Sequence, residues 1–236
     1  MQKLFTTLFL TISLTSYGQQ GKFNPFKLVV IKPDTAIIDK SLQGDIDSVQ
    51  SDYLKRYYNS VQQMEQLANS KNFPDDTSFK ATQEKMKTEL VAAKAAEPEI
   101  KKFRYYQTIS TYSTEVYNFY FNEYEPFSTI IELPNQKTDI ASLTKLADTT
   151  KADYVVFFTE IHTEIKDGLT ILKLTTSLYS KKQNKIILTK QTEGDTNSRG
   201  DMWTCGNTTL SCLLINGVRT STDEVAPVIA KAQMRK

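Results

Sequence analysis

The chain is poor both in residues that punctuate a fold and in residues that react. Eight glycines and seven prolines are spread over 236 residues, no stretch has the composition of a linker, and nothing marks an internal boundary. There is a single histidine, His162, so any Ser-His-Asp or Cys-His machinery has to use it, and no G-x-S-x-G motif accompanies it. A phosphate loop of the form G-x-x-x-x-G-K-[ST] is missing, as is G-x-G-x-x-G, which removes the usual support for nucleotide binding. No cofactor is expected. The formal net charge is only +2, whereas nucleic acid and anionic membrane surfaces demand a strong basic excess. No apolar run approaches the roughly 20 residues of a membrane-crossing helix.

The strongest positive signal is at the start. Lys3 supplies a basic region, Leu4 to Leu14 (LFTTLFLTISL) is an apolar run of 11 residues, and Ser16-Tyr17-Gly18 places small residues three and one positions before a cut ahead of Gln19. Residues 1–18 therefore read as a secretory signal peptide; the alternative is a short buried amino-terminal helix. Removal of the peptide leaves 218 residues, enough to bury a genuine core. It takes Lys3 away and leaves 28 basic against 27 acidic residues. Residues 19–236 are expected to form a single α/β domain in the periplasm or secreted further, with a helical insertion at about 45–97. No cysteine stands at the cut to carry a lipid anchor.

Cys205 and Cys212 are the two cysteines. An oxidising compartment permits them to pair, and closing a loop of eight residues contributes about 2.5 kcal/mol in the chain-entropy picture. The alternative is two unpaired thiols; a redox pair or half of a metal site is weaker still, because redox motifs are usually C-x-x-C and a zinc site needs four ligands. In a eukaryotic secretory setting, Asn207-Thr208-Thr209 would be a glycosylation acceptor.

Hydrophobic periodicity outlines the elements. Lys27 to Lys32 (KLVVIK), ended by Pro33-Asp34, reads as a buried central strand. From Asp45 to about Ser70, Ile46, Val49, Tyr53, Tyr57, Val61, Met64 and Leu67 recur every three or four positions, the period of one helix face. A second, more polar helix follows from about Ser78 to Glu97, with Pro98 as its stop. Phe127 to Leu133 is a strand, and Asp139 caps a helix carrying Ile140, Leu143, Leu146 and Ala147 on one face. Tyr154 to Ile165, Leu169 to Tyr179 and Lys185 to Glu193 form an antiparallel meander, its first turn supplied by Lys166-Asp167-Gly168. A last helix runs from Thr222 to about Met234, and the disulfide loop tethers it to the sheet. The fold class is thus α/β (α+β), a mixed sheet with a C-terminal three-strand meander, flanking helices and a helical insertion.

The segment Tyr105 to Phe127 fits helix and strand templates each in part. Nine of its 23 residues are aromatic. Clustered rings bury area while their hydroxyls keep a partner, so Tyr112, Tyr117, Tyr120 and Tyr124 are a candidate binding surface; the competing reading packs them between helices and sheet. Glu160, His162 and Glu164 alternate on one face of a strand, a spacing that could gather metal ligands, although a polar face near a strand end accounts for it as well. No catalytic residue is assigned, and a carboxylate pair is inevitable among 27 acidic residues.

The stretch LTKLADTTKADYVVFF, followed by LTILKLTTSLYSKKQNKIIL and a terminal helix, resembles the α/β domain shared by the amino-terminal part of TolB, the curli secretion lipoprotein CsgG and the lipoprotein activators of penicillin-binding proteins. The resemblance covers about 135–236, with KLVVIKP as a further strand, and transfers no catalytic residue. It implies a bacterial envelope protein that acts by binding another envelope protein. The insertion at 45–97 has no counterpart in that family, and the lipidated cysteine of the lipoproteins is missing. The alternatives are a periplasmic module for a glycan or small ligand with the aromatic cluster as platform, and an enzyme using Glu160, His162 or other carboxylates.

Overall fold

The computed structural model describes residues 24–69, 77–122, 128–197 and 208–234, with side chains of the second segment described from Lys80 onward. Five strands form one mixed sheet: β1 (Lys27–Ile31), β2 (Thr129–Leu133), β3 (Tyr154–Lys166), β4 (Leu169–Ser180) and β5 (Lys185–Gly194), in the order β2-β1-β3-β4-β5. Parallel β1 pairs with β2 and β3, so the first strand is internal, as its continuous apolar run requires. Strands β3, β4 and β5 are the antiparallel meander. Asp167 and Gly168 make its first turn with φ of 51° and 78°, the left-handed pair that a two-residue hairpin matching the strand twist needs.

Five helices accompany the sheet among the described residues: α1 (Gln43–Ala68), α2 (Thr77–Lys101), α3 (Thr108–Asn122), α4 (Ile140–Thr150) and α5 (Thr209–Gln233). None is long and apolar enough to cross a membrane. Alternate residues of β1 divide two cores. Leu28 and Val30 join Val156, Leu172, Leu174 and Leu178 beneath α3 and α5, whereas Val29 and Ile31 join Val155, Phe157 and Tyr179 beneath Leu143 and Ala147 of α4. Asp139 caps α4 as its position predicts, its carboxylate accepting from Ser142 N at 3.0 Å.

One open segment is decided and two helix expectations are corrected. The ambiguous aromatic segment is helical over Thr108–Asn122, because Ile109, Ser113, Val116, Tyr117 and Phe121 recur at helical spacing and are buried. Helix α2 does not stop at Pro98 but continues to Lys101. Pro98 falls in its last turn, so its missing amide forfeits one bond, to the Lys94 carbonyl, with three helical residues beyond it. The terminal helix starts at Thr209, thirteen residues before Thr222. Its first half is rich in Ser, Thr, Asn and Gly, poor helix formers. Burial of Leu210, Leu213, Leu214 and Val218 overrides that preference.

Helix α5 crosses β5 where two glycines meet. A Cβ on Gly194 would lie 2.2 Å from Leu213 O and 2.6 Å from Gly217 N, so only glycine fits there. The start of α5 is held twice: Thr208 Oγ1 accepts from Ser211 N at 3.1 Å, and Asp45 Oδ2, reaching over from α1, accepts from Leu210 N at 2.9 Å.

Helices α1 and α2 form an antiparallel hairpin. The half-buried positions Gln83, Met86, Leu90, Ala93, Glu97 and Ile100 alternate at spacings of three and four, a coiled-coil seam. Tyr57 donates to Ala93 O at 2.9 Å, Tyr58 donates to Glu97 Oε1 at 3.0 Å, and Lys94 pairs with Glu65. The hairpin rises from the sheet body with α1 as its inner helix; Ile46 and Val49 of α1 pack against the core.

Candidate functional site

Among the described residues, a concavity lies where the hairpin meets α3. It is a cleft of about 390 Å³ walled by Tyr53, Arg56, Tyr57 and Ser60 of α1, by Ile100 of α2, and by Thr108, Thr111, Tyr112 and Glu115 of α3. Helical spacing explains the first wall: Tyr53, Tyr57 and Ser60 follow one another at intervals of four and three on the stripe that faces the other helices, with Arg56 beside them at the rim.

The rings are fixed from behind. Tyr53 stacks on Phe103 with centroids 3.7 Å apart and planes 12° from parallel. The Tyr57 hydroxyl is engaged by Ala93 O. Thr111 donates to Glu132 Oε1 at 3.1 Å and Ser110 donates to the same oxygen at 2.5 Å, which anchors α3 to the edge strand β2. Burial raises the phenol pKa of Tyr53 and Tyr112, helped at Tyr53 by the charge of Glu132 and opposed at Tyr112 by that of Arg56. Partial burial also lifts the Glu115 carboxyl above its ordinary range; Arg56 works against that shift and Glu132 adds to it. The cleft thus presents aromatic faces, one guanidinium and one partly desolvated carboxylate.

The aromatic cluster expected from sequence does not form one surface. Tyr112 lines the cleft, half-buried. Tyr117 is 1% exposed in the core between α3 and α5, with its phenol pKa pushed far up by burial. Tyr120 is 48% exposed, and Tyr124 lies outside the described residues. The rings that do share the cleft with Tyr112 are Tyr53 and Tyr57, more than fifty positions earlier in the chain. Their spacing of four on the α1 stripe was legible, but not which helix would face it.

Glu160, His162 and Glu164 do share one face of β3. A β-bulge between Phe158 and Glu160 puts them there: with unbroken alternation they would follow Tyr154, Val156 and Phe158 into the core, whereas the bulge turns Ile161 inward instead. On the open face they enter an ion network. Lys173 Nζ lies 2.6 Å from Glu193 Oε1 and 3.3 Å from Glu164 Oε1, Lys166 Nζ lies 2.8 Å from Glu193 Oε2, and His162 Nε2 lies 3.9 Å from Glu164 Oε2. Glu160 accepts from Thr175 Oγ1 at 3.1 Å. The Lys173 ammonium already supplies the counter-charge a metal would bring, and no group of three or more His, Cys, Asp or Glu among the described residues is arranged to hold a metal ion.

Cys212 sits in the first turn of α5, buried and disulfide-bonded, while Cys205 lies outside the described residues. The signal-peptide segment 1–18 is also outside them.

No protein-family model matches this chain, and no curated protein matches it significantly. Among solved structures it is similar to the hypothetical protein CT253 from Chlamydia trachomatis, at 11% identity and a TM-score of 0.32 over 88% of this chain and 99% of that one. A likeness this slight supports no inference about fold or function.

Proposed function

We propose that the chain is an exported protein of the bacterial cell envelope that acts as a non-catalytic interaction module, with the sheet body as scaffold and the α1–α2 hairpin as its partner-facing arm. The observation that carries this reading is the hairpin itself. A 25-residue helix, α2, is added without a single buried residue among its described side chains, and Val91 is left 70% exposed. Such an element contributes little to the core and much to reach. The envelope assignment rests on the amino-terminal pattern and on the resemblance to the TolB and CsgG domain, and the Cys205–Cys212 bridge belongs to the same reading.

Photo-cross-linking in the native host tests it. A photoreactive residue replacing Val91 is expected to capture a defined envelope protein, whereas one replacing Thr189 on β5 captures none. Equal capture at both positions, or none at either, sinks the arm reading. Intact mass of the exported fraction is expected to begin at Gln19; a cytoplasmic chain retaining residues 1–18 overturns the export step.

A second reading, a binding module for a glycan or small ligand, is favoured by the cleft of about 390 Å³, which lies within the range of roughly 300–1,000 Å³ usual for ligand pockets. An enzyme using Glu160 and His162 is disfavoured, because Glu160 is engaged by the Thr175 hydroxyl and Glu164, the carboxylate beside His162, is paired with Lys173.

A further inference from the structure

We propose that the cleft between α1, α2 and α3 is a carbohydrate-binding site that takes a neutral, ring-shaped polyhydroxyl ligand of about two sugar units; this rests on the ligand-binding reading above and names its ligand class. Three observations converge.

The first is charge balance. Arg56 and Glu115 face the same cleft with opposite signs. A ligand with one strong charge would satisfy one of them and oppose the other. A polyol uses both: the guanidinium donates to ring and hydroxyl oxygens while the carboxylate accepts from neighbouring hydroxyls, each pairing two donors or acceptors in a plane.

The second is the rings. Tyr53, Tyr57 and Tyr112 supply π faces with a negative centre, against which the weakly positive C–H faces of a pyranose pack. The Tyr57 hydroxyl is spent on Ala93 O, but those of Tyr53 and Tyr112 make no hydrogen bond among the described residues and remain to meet ligand hydroxyls. The stack of Tyr53 on Phe103 holds its ring in place before any ligand arrives, which reduces the entropy cost of binding.

The third is the scarcity of aliphatic surface. Ile100 is the one aliphatic side chain among the lining residues, so the apolar part of the wall is chiefly tyrosine ring, the surface on which a sugar face packs.

The experiment titrates the purified full-length exported protein, labelled with 3-fluorotyrosine, and follows each ring by fluorine NMR. The probes are cellobiose and N,N′-diacetylchitobiose, with choline chloride, inorganic phosphate and the tripeptide Gly-Leu-Gly for comparison. The expected result is saturable movement of the Tyr53, Tyr57 and Tyr112 signals with at least one disaccharide and an unmoved Tyr120 signal. Tyr112→Ala and Arg56→Ala are each expected to weaken binding about tenfold or more, and Tyr112→Phe, which keeps the ring, by less. An unchanged thermal midpoint in Tyr112→Phe separates lost contact from lost fold. Saturation of the cleft by choline, phosphate or the tripeptide but by neither sugar overturns the carbohydrate assignment while leaving a ligand module standing. No saturation by any probe, or sugar binding indifferent to all three variants, overturns both.

Discussion

Helices α2 and α5 are each 25 residues long and each contains one proline, yet they belong to different kinds of structure. Helix α5 buries 13 residues, including Asn216 and Ser221, whose polar atoms find hydrogen-bond partners in the interior. The hydroxyls of Ser221 and Thr176 meet at 2.7 Å inside it. Helix α2 shows none buried; half-contacts with α1 hold it through a narrow seam, and its outer face carries alternating Lys and Glu. Poor local helix propensity therefore coexists with strong burial in α5, and good propensity with weak burial in α2. Tertiary packing makes the first, local preference the second. The two should respond differently to substitution.

The largest effect is expected where α5 and β5 touch. Gly194→Ala drives a methyl into the backbone of Leu213 and Gly217, which cannot be relieved by a rotamer change and should cost about 3 kcal/mol or more. Urea unfolding reads this directly. A loss below about 1 kcal/mol would mean that α5 slides on the sheet and that the body is softer than its burial indicates.

Matched leucines sharpen the contrast. Leu213→Ala in α5 removes a fully buried side chain and should cost about 3 kcal/mol, exposed as a global loss of amide protection. Leu90→Ala in the half-buried seam of α2 should cost about 1 kcal/mol, with faster exchange confined to residues 43–101. Global loss in both variants would show that arm and body unfold as one unit.

One contact joins the regions. Asp45 lies in the first turn of α1 and accepts from the amide of Leu210 at the start of α5, so it serves the capping of the other helix. Asp45→Ala is expected to cost about 1 kcal/mol and, unlike Leu90→Ala, to quicken exchange at the starts of both helices together. An effect confined to α1 would assign the bond no coupling role.

Local periodicity made much of the body legible. The runs KLVVI and YVVFF, the Asp-Gly turn and the Asp139 cap each carry their signal within a few residues, and the antiparallel meander follows from them. The bulge at Phe158–Glu160 does not: an extra residue in one strand leaves no mark in an alternation already interrupted by Thr159, yet it decides which way Glu160, His162 and Glu164 face. Tyr112 and Tyr117 look like neighbours in sequence, but five positions on a helix separate them by more than a third of a turn, so one lines the cleft and the other the core. The cleft is assembled from residues spread between Tyr53 and Glu115, and it required the packing of three helices to appear.

The smallest expected effect is electrostatic, and it too divides body from arm. Glu193, on β5, has its carboxyl held down to about 2 by hydrogen bonds first from Lys166 and then from Lys173. A carboxylate depressed in the folded state contributes stability that is fully present above its unfolded range, near 4.5, and that is lost as pH falls from there through about 2. Glu97 in the arm is also lowered, by hydrogen bonds from Lys101 and Tyr58. Both groups are at the surface and screened by salt. Wild-type stability is therefore expected to fall with acid across that window more steeply than that of Glu193→Gln, and about 1 M salt should narrow the gap. Glu97→Gln should flatten the acid response of exchange within 43–101 and leave that of α5 untouched. Parallel acid curves for wild type and Glu193→Gln would remove the ion network of the open sheet face from the account of stability and leave that face as a solvated surface alone.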